Sequence, residues 1–313
     1  MEIVRKARTA LFTDHGRRKA VNIARTWKLK HSEFREGKPV VYKLKDGRSF
    51  VVHPEDALSM QIFLEQSYEA LETAFCSSYA EKGDYVMDLG ANVGYFTALL
   101  SGLVGKDGAV FSFEPGVKTI AKLERTKELL GLANVDLNNL AAGERSGICR
   151  FAQSLTGMDQ HQHVAKPDDD MGKFATVEMP MASVDDFVKN KKIPNTKLSM
   201  IKCDVEANEL QVLRGAATIL GGESSPAWLL EVRIRDRDGN TMLSTARQVL
   251  ELFKGYKAFF ASLGEEKLYP MEQLEPMLPE LINIFAFPQK GAFAGRLKSA
   301  RIQSWLRQFG LNA

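Results

Sequence analysis

Hydrophobic and polar residues follow an alternating rhythm along most of the chain. From Gly83 onward, short apolar runs alternate with stretches in which apolar positions recur every three or four residues. The short runs are typical of buried strands, and the longer spacing is typical of amphipathic helices. Strands are predicted at 85–89, 109–113, 135–140, 198–203, 227–232, 256–261 and 281–287. Seven strands with helices between them predict an α/β fold with a doubly wound, Rossmann-like sheet.

Two segments depart from this alternation. Residues 1–35 are basic and follow a helical pattern, and the next segment alternates around Asp46-Gly47, which predicts a β-hairpin. Residues 147–182 are polar and end in a strand-like run, as expected of an insert that covers the ligand edge of a sheet. We therefore divide the chain into an N-terminal helical and hairpin extension (1–82), a ligand-binding α/β domain (83–289) and a basic amphipathic tail (290–313).

The turn after the first strand of the α/β domain carries a ligand signal. It reads D-L-G-A-N-V-G from Asp88 to Gly94, and its two glycines are Gly90 and Gly94. Dinucleotide-binding turns follow the pattern G-x-G-x-x-G, in which helix-start amides approach a pyrophosphate. Asn92 stands where the second of those glycines would be, and the Asp88 carboxylate would repel a pyrophosphate but bind an ammonium group. This combination favours S-adenosylmethionine, which joins an adenine nucleoside to an amino acid.

Residues before and after this turn extend the candidate donor site. Glu114 ends the second strand, where a carboxylate can accept hydrogen bonds from both ribose hydroxyls. The segment 138–143 follows the third strand and is placed to flank the adenine, and Tyr68-Glu69 precedes the first strand, near the amino-acid end of the donor. The candidate donor-binding residues are Glu69, Asp88, Gly90, Asn92, Gly94, Tyr95, Phe96, Glu114, Pro115, Asn139, Ala141 and Asp204.

Taken together, these stretches resemble the FkbM-type family of S-adenosylmethionine-dependent methyltransferases. The matching segments are Tyr68-Glu69, V-M-D-L-G-A-N-V-G-Y-F-T, F-S-F-E-P, N-x-x-A at 138–141, V-D-D-F at 184–187 and I-K-C-D-V-E-A-N-E-L-Q-V-L-R-G-A. The resemblance covers roughly residues 60–288. It implies a seven-stranded methyltransferase sheet and methyl transfer, commonly to a hydroxyl of a sugar or a natural product. Ala207 replaces the glycine of the family pattern D-V-E-G-x-E, which implies either a helical backbone there or a reshaped acceptor pocket.

Acidic residues at two further strand ends are candidates for acceptor chemistry. Asp204 and Glu206 follow the fourth strand, and Glu231 ends the fifth. An alcohol gives up its proton reluctantly, which favours a positioned general base among these carboxylates. The alternative is that Glu206 and Glu209 lie in the first turn of the next helix and stabilise its positive end.

Histidine and metal chemistry are further alternatives. His163 and His161 lie in the polar insert, and a side chain with a pKa near about 6.5 suits base catalysis at neutral pH, although such positions are also typical of a solvated loop. Three acids at adjacent strand ends are ligands that Mg²⁺ accepts, but a tight carboxylate motif is missing, so no metal is predicted.

Charge is distributed unevenly along the chain. The net charge is +3, of which residues 1–38 carry +7 and residues 290–313 carry +5, so the remainder carries −9. A nucleic-acid binder has its basic face on the fold itself, so no nucleic-acid partner is expected. Two basic ends instead fit contact with something anionic, such as a membrane surface.

The tail predicts an amphipathic helix, and its partner is left open. Apolar residues recur at i, i+3, i+4 and i+7 at Ile302, Trp305, Leu306 and Phe309. Three partners are open for the apolar face of such a helix: a membrane interface, its own domain, or a second copy of the chain in a homo-oligomer. The chain lacks an apolar run of about 18 residues, the features of a secretory signal and a disulfide pattern. We therefore expect a cytoplasmic protein, with peripheral contact at the inner face of a membrane as an alternative.

The sequence thus predicts an O-methyltransferase that uses S-adenosylmethionine. Its expected acceptor is a hydroxyl of a saccharide, free or lipid-linked, or of a small natural product. The alternatives are methyl transfer to nitrogen or to a carboxylate, and a catalytically idle adenosyl-binding scaffold in a membrane-associated biosynthetic complex. Asp88 and Asn92 disfavour a nicotinamide-dependent oxidoreductase.

Overall fold

The computed structural model describes residues 37–154, 162–165, 174–206, 208–234, 243–262, 265, 267–277 and 279–311. Backbone contacts separate the chain into two units, Met1–Tyr68 and Glu69–Ala313, and each is described by itself. The helix predicted in residues 1–35 lies outside the described residues, as do His161 and Ala207.

The described part of the first unit is a hairpin followed by a helix. Strands β1 (Val40–Lys43) and β2 (Ser49–Val52) pair antiparallel across a turn in which Gly47 has a φ of 88°. This confirms the hairpin predicted from the Asp-Gly pair. Helix α1 (Ala57–Glu65) begins after Asp56, whose side chain accepts a hydrogen bond from the Ser59 N–H at 2.8 Å, as a helix N-cap does.

The second unit contains two sheets and the helices that cover them. Its elements in chain order are α2 (Ala70–Tyr79), β3 (Tyr85–Leu89), α3 (Tyr95–Val104), β4 (Ala109–Phe113), α4 (Val117–Leu130), β5 (Val135–Asn138), β6 (Ala141–Ala142), β7 (Gly147–Ser154), β8 (His163–Val164), β9 (Phe174–Ala182), α5 (Val184–Asn190), β10 (Leu198–Cys203), α6 (Glu209–Arg214), α7 (Ala217–Gly221), β11 (Ala227–Arg233), α8 (Leu243–Leu252), β12 (Tyr256–Ser262), β13 (Tyr269–Pro270), α9 (Leu274–Met277), β14 (Leu281–Pro288) and α10 (Ala300–Arg307).

The main sheet has eight strands in the order β13-β12-β14-β11-β10-β3-β4-β5. Strands β11, β10, β3, β4 and β5 are parallel, and β14 inserts antiparallel between β11 and β12. The seven predicted strands and the Rossmann-like arrangement are confirmed. The strand missed is β13, which is only two residues long and lies at the sheet edge. The chain runs outward from β3 to β5 and then returns to β10, so the switch point lies between β3 and β10, where ligands of such sheets bind.

The predicted insert forms much of a smaller sheet with the order β6-β9-β7-β8. Its strand-like end lies within β9, which pairs antiparallel with β7. Gln162, next to β8, donates from Nε2 to the Thr119 hydroxyl of α4 at 3.2 Å. The insert therefore reaches the segment that follows β4.

The two faces of the central strands have different chemistry. Met87 and Leu89 of β3 join Ile201 and Cys203 of β10 in one buried apolar cluster. Because side chains alternate along a strand, Asp88 and its register partner Lys202 lie on the opposite face. This second face places two buried charges near the switch point.

The tail helix packs on its own unit. Ile302, Trp305 and Leu306 of α10 are buried, and the Trp305 ring contacts Phe75 of α2 and Phe285 of β14 with centroids 5.5 and 5.4 Å apart. The packing alternative is thus the one that the structure shows for this apolar face. Within the described residues, no helix has the length and apolar character needed to span a membrane.

Replacing Trp305 with alanine should destabilise the protein. A buried tryptophan replaced by alanine costs about 3–5 kcal/mol, because transfer energy is lost and a cavity remains. Denaturant unfolding measures the loss. Arg307→Ala, at an exposed position on the same helix, is the control and should change the free energy of unfolding by less than about 0.5 kcal/mol. Equal stabilities for the two variants would contradict the packing of the tail.

Candidate active site

Both glycines of the turn after β3 meet close neighbours. Gly90 has a φ of 85°, and a Cβ built there would lie 1.8 Å from the carbonyl oxygen of Asp204. Gly94 has a φ of 93°, and its Cβ would lie 2.5 Å from Leu123 Cδ1. A side chain at Gly90 would therefore force apart the turn after β3 and the turn after β10.

Asn92 stands where a dinucleotide turn has its second glycine, and its backbone takes the left-handed conformation. Its φ is 50°, and its Oδ1 accepts a hydrogen bond from the Val93 N–H at 2.8 Å. Asparagine tolerates this region because its short side chain bonds the local backbone. The Asn92 N–H donates to Glu114 Oε2 at 2.9 Å, which joins the first turn to the end of β4.

Glu114 is held in place from several directions. Its Oε1 accepts from the Gly116 N–H at 2.8 Å, and the Asn139 amide donates to the carbonyls of Glu114 and Pro115 at 2.8 and 3.1 Å. The side chain is buried, yet each carboxylate oxygen can accept more than one hydrogen bond. This geometry fits a carboxylate that accepts both ribose hydroxyls of a nucleoside.

Asp88 lies beneath the turn and is bonded to α3. Its Oδ2 accepts from the Thr97 hydroxyl at 2.7 Å, and burial raises the pKa of the carboxyl group. Its Oδ1 has no hydrogen-bond partner among the described residues. A buried acceptor without a partner is costly and indicates a group that a bound ammonium or a water would satisfy.

The other predicted donor residues lie on α3, on β6 and at the start of α2. Tyr95 and Phe96 open α3, and the Tyr95 hydroxyl lies 3.2 Å from the Thr73 hydroxyl of α2. Ala141 is buried in β6. Glu69 immediately precedes α2 and has a φ of 40°.

Lys202 is a site residue that the sequence prediction missed. Its ammonium lies 3.2 Å from Asp204 Oδ2 and 4.7 Å from the centroid of the Phe96 ring, and its side chain is 5% exposed. A lysine is almost never buried without an opposite charge, so a lysine inside the apolar run L-S-M-I-K-C is the sequence signal that identifies it.

Four carboxylates belong to the carboxyl edge of the sheet and to the loops beside it. We call them the edge carboxylates: Glu69, Asp204, Glu206 and Glu231. The pKa of Glu231 is raised to about 10. Burial is the largest cause, and the negative charges of nearby carboxylates add to it: Asp204, Glu69, Glu206 and Glu209. Glu231 thus experiences the charges of Asp204 and Glu206, the other two predicted catalytic acids of the sheet edge.

Glu209 and Glu206 have different roles. Glu209 begins α6, and its carboxylate accepts a hydrogen bond from the Val205 N–H at 3.3 Å, which holds the loop after β10. Glu206 lies in that loop with a φ of 54°, before the helix begins. The helix-start alternative therefore applies to Glu209 and not to Glu206.

His163 lies in the smaller sheet. It is buried in β8, with its ring edge-on to Phe174 at a centroid distance of 5.1 Å. Its catalytic role stays a prediction. Among the residues described, no group of three or more His, Cys, Asp or Glu side chains is arranged to hold a metal ion.

The sheet order and the glycine turn at its switch point are those of a Rossmann-like fold. The family model described as "Methyltransferase FkbM domain" matches residues 88–257, which is more than half of the chain. The chain therefore belongs to the FkbM family of methyltransferases, as the sequence resemblance predicts.

Similar proteins have little sequence identity to this one. "Methyltransferase 1" of Beauveria bassiana is 22% identical over 56% of this chain and 76% of its own length. "Hexuronic acid methyltransferase AglP" of Haloferax volcanii is 24% identical over 56% of this chain and 67% of its own length. The crystal structure of methyltransferase FkbM from Methylobacillus flagellatus is 16% identical over 72% of this chain and 52% of that chain, with a TM-score of 0.41.

Removing the Glu114 carboxylate should weaken donor binding. Glu114→Ala is expected to raise the Kd of S-adenosylhomocysteine at least about tenfold, or ~1.4 kcal/mol, because the ribose hydroxyls lose their acceptor. Calorimetric titration measures the Kd. Glu124→Ala removes an exposed carboxylate from α4 and should bind normally, and NADH should bind neither variant. An unchanged Kd in Glu114→Ala would remove this carboxylate from the donor site.

Proposed function

We propose that the protein transfers a methyl group from S-adenosylmethionine to a hydroxyl group of a saccharide or a small natural product. The observation that carries this proposal is the set of edge carboxylates beside the donor turn. Asp204 joins the two features, because its carbonyl lies against Gly90 and its carboxylate is 26% exposed.

Carboxylates are well suited to recognise hydroxyl groups. An ionised carboxylate only accepts hydrogen bonds, so it pairs with the O–H donors that a polyhydroxylated acceptor presents. It also accepts the proton that an alcohol loses as its oxygen is methylated. Asp204 places such a carboxylate at the carboxyl end of β10, with Glu206 in the loop that follows it. These actions support oxygen as the methylated atom over a nitrogen that needs no base.

A relative supports a saccharide as the acceptor. The name of the Haloferax volcanii protein assigns it a hexuronic acid, which is a sugar with a carboxylate. The edge carboxylates of this chain would repel a negatively charged acceptor, so an uncharged sugar fits them better. S-adenosylmethionine supplies, when bound, an activated methyl group on a positively charged sulfur. The residues of this chain then need to align the acceptor oxygen and exclude water.

A transfer assay tests the proposal. The purified protein is incubated with methyl-labelled S-adenosylmethionine and with matched acceptors: neutral hexoses and oligosaccharides, uronic acids, lipid-linked glycans, and amines of similar size. Label on a neutral sugar, mapped to an ether oxygen by mass spectrometry, supports the proposal. Label on a nitrogen or as a carboxylate ester would replace it with the alternative reactions. Donor binding with no transfer to any acceptor would favour the scaffold alternative.

Asp204→Asn should lower turnover and spare donor binding. A hydrogen bond to a charged group contributes about 1.5–3 kcal/mol, so we expect kcat/KM to fall at least about tenfold. The Kd of S-adenosylhomocysteine should stay close to that of the unaltered protein. Asp107→Asn, at an exposed side chain before β4, is the matched control. A fully active Asp204→Asn variant would exclude this carboxylate from acceptor chemistry.

A further inference from the structure

Gln162 brings the insert to the predicted ribose carboxylate. A Cβ built on Gly116 would lie 3.0 Å from Gln162 Nε2 and 3.0 Å from Glu114 Oε1. The same Cβ would lie 2.9 Å from Thr119 Oγ1, so polar atoms of three segments surround the open side of this glycine. Two atoms that are each 3.0 Å from one point are close enough for one ligand oxygen to lie within hydrogen-bond distance of both.

The position of the Gln162 amide is fixed from two sides. Its Nε2 donates to the Thr119 hydroxyl at 3.2 Å, and Thr119 is buried in the first turn of α4. On the other side, Gln162 immediately precedes β8, whose His163 and Val164 pair with β7. His163 is buried, which anchors the backbone next to Gln162 in the smaller sheet. A side chain held in this way loses little freedom when a ligand binds, so a hydrogen bond from it adds to affinity at low entropic cost.

An amide beside a carboxylate matches the chemistry of a hydroxyl group. An ionised carboxylate only accepts hydrogen bonds, whereas a ribose hydroxyl both donates and accepts. Glu114 therefore satisfies the proton of such a hydroxyl and leaves its oxygen lone pairs to another partner. The Gln162 amide has two N–H groups and an oxygen, so it can bind Thr119 and a ligand together. The two side chains supply the acceptor and the donor that one hydroxyl needs.

We propose that Gln162 is a donor-binding residue: its amide N–H donates to a ribose hydroxyl of S-adenosylmethionine whose own O–H donates to Glu114. The contact makes the smaller sheet part of the donor site, because Gln162 is joined to that sheet through β8. The insert then contributes directly to donor affinity. This inference concerns the donor alone and holds whichever acceptor the protein methylates.

Loss of the amide should weaken binding of the donor product. Gln162→Ala is expected to raise the Kd of S-adenosylhomocysteine between about two- and tenfold, which corresponds to one hydrogen bond between uncharged groups. Gln162→Glu keeps the shape of the side chain but places a second carboxylate near Glu114, so it should weaken binding at least as much. Calorimetric titration measures each Kd.

A second glutamine of the same sheet is the matched control. Gln153→Ala removes a half-buried glutamine of β7 and should leave the Kd of S-adenosylhomocysteine unchanged. If both Gln162 variants bind S-adenosylhomocysteine as tightly as the Gln153→Ala control, Gln162 does not contact the donor and the proposal is overturned.

Analogues that lack one hydroxyl separate a ligand contact from simple anchoring of the insert. The 2′-deoxy and 3′-deoxy forms of S-adenosylhomocysteine each remove one ribose hydroxyl. For the form that lacks the bound hydroxyl, Gln162→Ala and the unaltered protein should have the same Kd, because the partner of the amide is already missing. A loss of equal size for S-adenosylhomocysteine and for both deoxy forms would show that Gln162 only anchors the insert through Thr119, and it would overturn the proposal.

These binding results are independent of the transfer assay. A Gln162 effect that needs a ribose hydroxyl, together with no methylated sugar, would keep this inference and reject the proposed acceptor. Methylated sugar together with no effect of Gln162 on donor binding would keep the proposed function and reject this inference.

Discussion

The site depends on the approach of two backbone turns at the switch point of the sheet. Gly90 and the carbonyl of Asp204 are so close that a side chain has no room between them, and the Asp204 N–H donates to the Leu89 carbonyl at 2.9 Å. This contact sets the turn that is predicted to bind the donor against the loop that carries Asp204 and Glu206, the acids proposed to act on the acceptor. Parallel pairing of β3 and β10 makes the contact possible, because it brings both carboxyl ends to one edge.

Three of the described non-glycine residues with positive φ angles lie just before helices of the second unit. Glu69, Asn92 and Glu206 have positive φ angles, which cost about 1–3 kcal/mol each in non-glycine residues. Each lies at the start of a helix or in the loop before it, at the same edge of the sheet. The buried apolar face of β3 and β10, with Met87 and Ile201 in one cluster, supplies stability that offsets such strain. The apolar core and the candidate site thus lie on opposite faces of the same strands.

Sequence patterns predict the fold, whereas the spatial arrangement of the candidate site depends on residues that are distant in sequence. The strands are predicted because each is a short apolar run, which is a local pattern. The glycine turn is predicted because its residues are consecutive in the sequence. The lysine inside the apolar run marks Lys202 as unusual, but its proximity to Asp88 of β3 and to the Phe96 ring of α3 joins residues that are distant in sequence, which no local pattern records. The raised pKa of Glu231 has the same origin, since it depends on charges from separate loops. The two-residue β13 has too few residues to show a period.

The tail also changes how the basic ends are understood. Arg296 binds Asp84 through both guanidinium nitrogens and lies 3.3 Å from Glu81, so its charge is balanced inside the second unit. Arg301 donates to the Ser77 and Ala80 carbonyls, where it opposes the negative end of the α2 dipole. Arg301 is nevertheless exposed, as are Lys290, Lys298 and Arg307. The electric field that this end presents to solvent is therefore weaker than a count of its arginines and lysines implies, because the Arg296 charge is paired with carboxylates that hold the tail against the rest of the second unit.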